Sequence, residues 1–213
     1  MKGTIAVFGA TGFIGSAVMS RLLAQGVPLR ALARDPARLN DRAGVTVIAG
    51  DVGDPALVRE VIKRSAAVVS CLGTRRGDRQ PVTFLADAIG SIIAAMRAEN
   101  VARLIAISGA GISVSGESKP FPHNLITGLV RVLAAEAVEA KQREFEVLRQ
   151  AGDIEWTAVR PTRVVPGAAT GRSRVSVDAR SIGMRVTVGD LAAFMAALVE
   201  DGGYIREAPF ISS

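Results

Sequence analysis

Three glycines spaced by three residues, Gly9, Gly12 and Gly15, follow directly on the apolar run Ile5-Ala6-Val7-Phe8. A buried strand that breaks into a glycine turn and then a helix is suited to a dinucleotide pyrophosphate. The first glycine permits the tight turn, the second lets the backbone approach the phosphates, and the third lets the helix pack on the strand. Thr11 lies inside this loop and Phe13-Ile14 open the helix, whose free amides and positive dipole end face the anion. The helical pattern Ile14, Val18, Leu22 continues to Gln25-Gly26.

A second chemical feature ends the next strand, Leu29-Arg30-Ala31-Leu32-Ala33. Proteins that select NAD place a carboxylate here to accept from the ribose 2′-hydroxyl. This chain has Arg34 instead, with Arg38 one helical turn on. Guanidinium groups pair with a 2′-phosphate through charge-assisted bonds, so NADP is expected over NAD. Asp35, before Pro36, reads as the N-cap of a short helix and is a poor ribose ligand.

Acid–base machinery is the next requirement. Short-chain oxidoreductases of the standard class use a Tyr-x-x-x-Lys pair on a helix, the lysine lowering the tyrosine pKa, and a serine after the fifth strand. The one tyrosine here is Tyr204, and Ala208 stands four residues later. Lys141 lies on the helical stripe of Phe145 and Leu148, with Ala137 where such a tyrosine would sit. It either reaches the cofactor ribose or carries its amine to solvent along an apolar stem. Ser108 ends the fifth strand, placed to donate to a substrate carbonyl or the nicotinamide amide, or to serve as a turn residue. Arg163 is a partner for an anionic substrate or flavin phosphate, or one half of a surface ion pair. Ser108, Lys141 and Arg163 are therefore the candidate catalytic side chains.

The elements that must hold these residues alternate between strand and helix. Val45-Thr46-Val47-Ile48-Ala49 is the third strand, and Asp51-Val52 follows it either as a ligand contact or as an ordinary turn. Asp54-Pro55 starts a helix with Leu57, Val58, Val61 and Ile62 on its buried stripe. Residues 66–71 form a fourth, fully apolar strand, and Leu72-Gly73-Thr74 leave it toward the switch point, near the cofactor's second ribose. Leu85, Ala88, Ile89, Ile92, Ile93 and Met96 mark a long helix, and Leu104-Ile105-Ala106-Ile107 a fifth strand. A helix from about 134 to 150 leads to the sixth strand, Trp156 to Arg160, which Pro161-Thr162-Arg163 closes. Residues 167–188 read as a substrate-side loop with a short strand or two. A last helix carries Leu191, Phe194, Met195 and Leu198, and an apolar strand follows around Pro209-Phe210-Ile211. This is one α/β domain over residues 1–213, a Rossmann-like, doubly wound, mainly parallel sheet flanked by helices. The cofactor half spans about 1–110 and the substrate-side elements about 111–213.

Composition narrows the class. The 213 residues are 49% apolar and suffice for one core. The single cysteine, Cys71, excludes an internal disulfide, fits a reducing cytoplasm and reads as a core residue. No Cys/His cluster suggests a metal. No apolar run is long enough for a membrane span, and the amino terminus passes directly into a strand, so no secretion signal is expected. The net charge of +6 favours anions, but aromatics are scarce and the basic residues scattered, so no nucleic-acid partner is expected. The polar loop 75–81 is a possible rim to the site; residues 119–133 read as a lid or subunit contact, and His123, the one histidine, as a surface residue.

The segments GATGFIG, LARDPARL, GDVGD, CLGT and IEWTAVRP are similar to those of the atypical short-chain dehydrogenase/reductases. More closely, the chain resembles the NAD(P)H-binding family that includes biliverdin reductase B (a flavin reductase) and the NmrA-like proteins. The resemblance covers nearly the whole chain, is specific in the cofactor half and is loose after Pro161. It implies NADPH carried by the Gly9 loop, Arg34 and Arg38, with Asp51-Val52 at the adenine and a planar acceptor over the nicotinamide. The flavin reductase has a serine where Gly109 stands, a threonine at Ser108 and a histidine at Arg163. Those departures count against a bilin substrate and less against flavin reduction, whose proton can come from water. The leading expectation is an NADPH-dependent reductase of a flavin, quinone or similar small planar acceptor, monomeric or homodimeric. A non-catalytic NADP-binding sensor or regulator is the alternative, and a sugar-nucleotide epimerase or dehydratase comes last.

Overall fold

A computed structural model describes residues 3–39, 42–74, 80–114 and 135–213 of the chain. Strands β1 (Thr4–Phe8), β2 (Leu29–Ala33), β3 (Val45–Ala49), β4 (Ser65–Ser70), β5 (Arg103–Ile107) and β6 (Glu155–Pro161) form its backbone. Helix α1 (Phe13–Ala24) joins β1 to β2, α2 (Pro55–Ile62) joins β3 to β4, α3 (Phe84–Ala98) precedes β5 and α4 (Ala135–Gln150) precedes β6. Then come β7 (Arg163–Val165), β8 (Arg174–Ser176), β9 (Arg185–Thr187), α5 (Val188–Asp201) and β10 (Phe210–Ser212). The main sheet runs β3-β2-β1-β4-β5-β6-β10-β8, and β7 and β9 form a separate parallel ribbon. All neighbours in the main sheet are parallel except β8, which is antiparallel to β10. The order 3-2-1-4-5-6 is that of a doubly wound dinucleotide fold, with its switch point between β1 and β4.

Alternation along β1 explains the two layers. Ile5 and Val7 point into one core with Val18, Met19 and Leu22 of α1 and Leu191, Met195 and Leu198 of α5. Ala6 and Phe8 point into the other, with α2, α3 and α4 supplying Val58, Ile62, Ile89, Met96, Phe145 and Leu148. Each central strand is thus covered on both faces, which is why it reads as an unbroken apolar run.

Two local expectations are corrected. The short helix after Asp35 is a single 3-10 turn, Pro36–Arg38, and the Asp35 carboxylate makes no capping bond. The turn closes its own amides, Arg38 N–H to the Asp35 carbonyl and Leu39 N–H to the Pro36 carbonyl, which leaves little to cap. Asp54, before a full helix, does accept from the Ala56 and Leu57 amides at 2.9 and 3.4 Å. The second correction concerns Arg163. It does not close β6, which ends at Pro161, but opens β7; the short strands expected within 167–188 are β8 and β9. Residues 75–79 of the polar loop, His123 and the segment 119–133 lie outside the described residues.

Buried cations fasten the far side of the sheet. The Arg103 guanidinium donates to the carbonyls of Leu198, Gly203 and Glu155 and to Thr157 Oγ1, at 2.8–3.1 Å, and burial pulls its pKa down. Arg160 Nε donates to the Ala208 carbonyl at 2.7 Å, and its guanidinium carbon lies 3.7 Å from the Phe210 ring centroid.

Candidate functional site

The glycine turn is built by close backbone approach. Gly9 has φ +74°, and a Cβ on it would stand 2.5 Å from the Cys71 carbonyl oxygen. A Cβ on Gly15 would strike the Gly9 carbonyl. Gly12 is the N-cap of α1 and offers no side chain to the helix end, so the first amides of α1 stay uncapped. Glycine at these positions and an open helix terminus fit a pyrophosphate.

A cavity of ≈ 130 Å³ opens beside this turn at the carboxyl ends of β1 to β4. Of the candidate cofactor residues, Gly9, Thr11, Gly12, Arg34, Asp51, Val52, Leu72 and Gly73 line it. Gln80, from the loop expected to rim the site, and Phe84, which the sequence reading did not single out, also line it. Arg34 and Asp51 face each other at 3.9 Å, both largely exposed, a pairing too loose to hold the guanidinium. Arg38 Nη2 donates to the Thr11 carbonyl at 3.2 Å and so ties the β2 end to the glycine turn. Phe13 leaves its ring 54% exposed at the start of α1, while Ile14 packs on the α1 core. Thr74 and Pro161 do not line the cavity; Pro161 is buried at the end of β6, opposite Ile211.

The candidate catalytic residues occupy the other side of the switch point. Lys141 does not carry its amine to solvent. Nζ donates to the carbonyls of Leu72 and Ile107 at 2.8 and 2.7 Å and to Glu144 Oε2 at 2.7 Å. Glu144 is buried, so desolvation raises its pKa while the Lys141 charge works against the rise. Sequence reasoning missed this carboxylate; its one signal was the three-residue spacing from Lys141 on an otherwise buried stripe. Burial also pushes the Cys71 thiol up to about 12, with Lys141 opposing, so Cys71 is no nucleophile at neutral pH.

Ser108 is 9% exposed. Its amide donates to the Val159 carbonyl at 2.7 Å, but its hydroxyl has no hydrogen-bond partner among the described residues. Arg163 is exposed in β7 directly opposite Arg185 in β9, and neither forms an ion pair among the described residues. Tyr204 is at the wrong end. Its carbonyl accepts from Thr157 Oγ1 near the start of β6, and its ring packs edge-on against Phe194. The described residues hold no His/Cys/Asp/Glu group fit for a metal, and no described helix is long and apolar enough to cross a membrane.

Residues 9–202 match the family model described as NAD(P)H-binding. The chain belongs to that NAD(P)H-binding family. Its relatives include the 2-alkyl-3-oxoalkanoate reductase of Shewanella oneidensis, 30% identical over 117 residues. That match takes in 53% of this chain but 30% of the relative, so the chain spans about a third of that protein's length. Among solved structures, a short-chain dehydrogenase/reductase from Veillonella parvula in complex with NADP superposes with a TM-score of 0.82 at 20% identity, over 100% of this chain and 95% of that one. ChuY, an anaerobilin reductase from Escherichia coli O157:H7, superposes with a TM-score of 0.78 at 18% identity, over 98% and 96%. At those identities the superpositions establish the fold. The family match makes this an NAD(P)H-binding protein.

Proposed function

We propose that the protein is an NADPH-dependent reductase of a small planar acceptor such as a flavin or quinone. The observation that carries the cofactor preference is the pair of arginines at the β2 end, Arg34 at the cavity mouth and Arg38 on the glycine turn. Asp51 is the one carboxylate among the described residues that line the cavity, and it faces Arg34 across it. Thr11, Gly12, Phe13 and Ile14 cradle the pyrophosphate, Asp51 and Val52 edge the adenine, and Leu72, Gly73, Thr74 and Pro161 border the second half. The cofactor supplies the hydride. The chain's own residues orient and shield: Ser108 offers a hydroxyl with no hydrogen-bond partner among the described residues, Lys141 keeps a positive charge below the site, and Arg163 attracts an anionic group on the acceptor. Proton delivery falls to water, which suits a flavin ring nitrogen or quinone oxygen, and rate comes from orientation.

The position of Tyr204 and the alanine at 137 favour a second reading, a non-catalytic NADP-binding sensor or regulator. Epimerase or dehydratase chemistry, which needs the missing acid, is the least supported. NADPH oxidation followed by absorbance, with flavin mononucleotide and a quinone panel as acceptors, decides between them. Turnover that saturates with acceptor and prefers NADPH over NADH supports the reductase. Tight NADPH binding with no turnover moves the assignment to the sensor.

A further inference from the structure

We propose that Glu144 is a positioning residue. It holds the Lys141 ammonium as a clasp between the ends of β4 and β5, and a whole dinucleotide, though not its adenosine half, depends on that clasp. The inference rests on the dinucleotide-binding reading above and not on any acceptor. Paired register between β4 and β5 ends at Ser70 and Ala106. Beyond it the strand ends are joined through a side chain, with the Leu72 and Ile107 carbonyls both accepting from Lys141 Nζ. The third ammonium proton goes to Glu144, so all three donors are spent inside the protein. The residues that follow these carbonyls bear on the site: Gly73 lines the cavity, and Ser108 carries a buried hydroxyl with no partner among the described residues.

An ammonium with 14% side-chain exposure needs a counter-charge, and Glu144, at 2%, is the one in contact. Removing one member of a buried pair strands the other charge, whereas replacing both with apolar groups of similar volume is often neutral for stability. A clasp that merely stabilised the fold would therefore be dispensable as a pair. A clasp that sets the spacing of two strand ends would not.

The test measures thermal unfolding and calorimetric affinity for NADPH and for adenosine 2′,5′-bisphosphate, which reproduces the adenosine half alone. Wild type is compared with Glu144→Gln and with the double variant Lys141→Met/Glu144→Leu. Glu144→Gln is expected to lower the melting temperature and weaken NADPH at least tenfold while leaving the bisphosphate within twofold. The double variant is expected to recover the melting temperature but not the NADPH affinity. Wild-type NADPH affinity in the double variant, or equal loss of both ligands, overturns the proposal. Should a variant not fold, hydrogen exchange on the wild-type protein carries the test: NADPH protects residues 72–74 and 107–109 together, and protection of one strand end without the other refutes the clasp. Absence of binding by wild type would instead refute the dinucleotide reading, and binding without acceptor turnover would leave the clasp intact while removing the reductase.

Discussion

The turn after β1 and the lobe after β6 both hold irregular backbone at the carboxyl edge of one sheet, and they do so by opposite means. The first is shaped by missing side chains: Gly9 and Gly15 let main chain lie on main chain. The second is shaped by a carboxylate. Asp190, in the first turn of α5, accepts from the Thr170 amide and hydroxyl and the Gly171 amide at 2.8–3.1 Å, and from Thr187 Oγ1 at 2.9 Å. Its amide donates back to Thr187 Oγ1, the N-cap hydroxyl of α5, so one carboxylate serves both the helix start and the incoming loop. Contact without side chains tolerates almost no substitution, whereas a polar hub tolerates change around it as long as the carboxylate stays charged.

The largest effect expected on that contrast comes from Gly15→Ala. The added methyl meets the Gly9 carbonyl with nothing flexible to yield, so stability should fall by about 2 kcal/mol or more, read by chemical denaturation. A loss below about 0.5 kcal/mol would break the claim that backbone contact shapes the turn.

The lobe should instead respond to pH. Desolvation favours the neutral form of Asp190, but the hydrogen bonds from Thr170, Ser213 and Thr187 outweigh it and bring the pKa to about 2. A folded-state value below the unfolded one stabilises the protein above the unfolded pKa and ceases to do so as pH falls through the folded one. The contribution is therefore whole above about pH 4, roughly 2 kcal/mol for a shift of this size, and fades toward pH 2. Asp190→Asn should be much less stable than wild type at pH 7, with the gap narrowing through that window. A gap independent of pH would show that the carboxylate's charge is not what holds the loop.

Arg34→Ala tests the ligand side of the glycine turn. NADPH should weaken roughly ten- to a hundredfold, as expected for losing a charge-assisted contact, with NADH changing little. Equal losses for both would remove the 2′-phosphate from the account. Ser108→Ala has the smallest expected effect on the fold, because deleting a buried hydroxyl that has no partner among the described residues leaves none of them unsatisfied. Melting should stay within a degree or two of wild type while turnover with a flavin acceptor drops about tenfold. Unchanged turnover would make Ser108 a turn residue.

Legibility in the sequence follows the same division. The six parallel strands and the glycine turn were readable because their signals are local: apolar runs, glycine spacing, Asp54-Pro55 before α2. Arg34 and Arg38 were readable because strand ends in this fold have fixed neighbours. In the lobe the short strands expected within 167–188 are β8 and β9, but β7 was not readable: three residues show no alternation, and its one partner, β9, lies twenty residues on. Glu144 was missed for a related reason. A carboxylate among AEAVEAKQREFEVLRQ looks solvated, and only the packing of α4 shows that it is not. Asp35 does stand at the N-cap of a short helix with Pro36 first, but that helix is one 3-10 turn and the carboxylate makes no capping bond to it.

β10 lies between β6 and β8, and β8 has no other partner in the main sheet. During synthesis from the amino terminus, strands β1 to β6 can therefore assemble while the lobe waits for residues 210–212 to emerge. The glycine turn and the lobe after β6 are thus completed at different moments. A chain halted after α5 would already own its pyrophosphate turn, yet Arg160 would lack the Phe210 ring that its guanidinium covers.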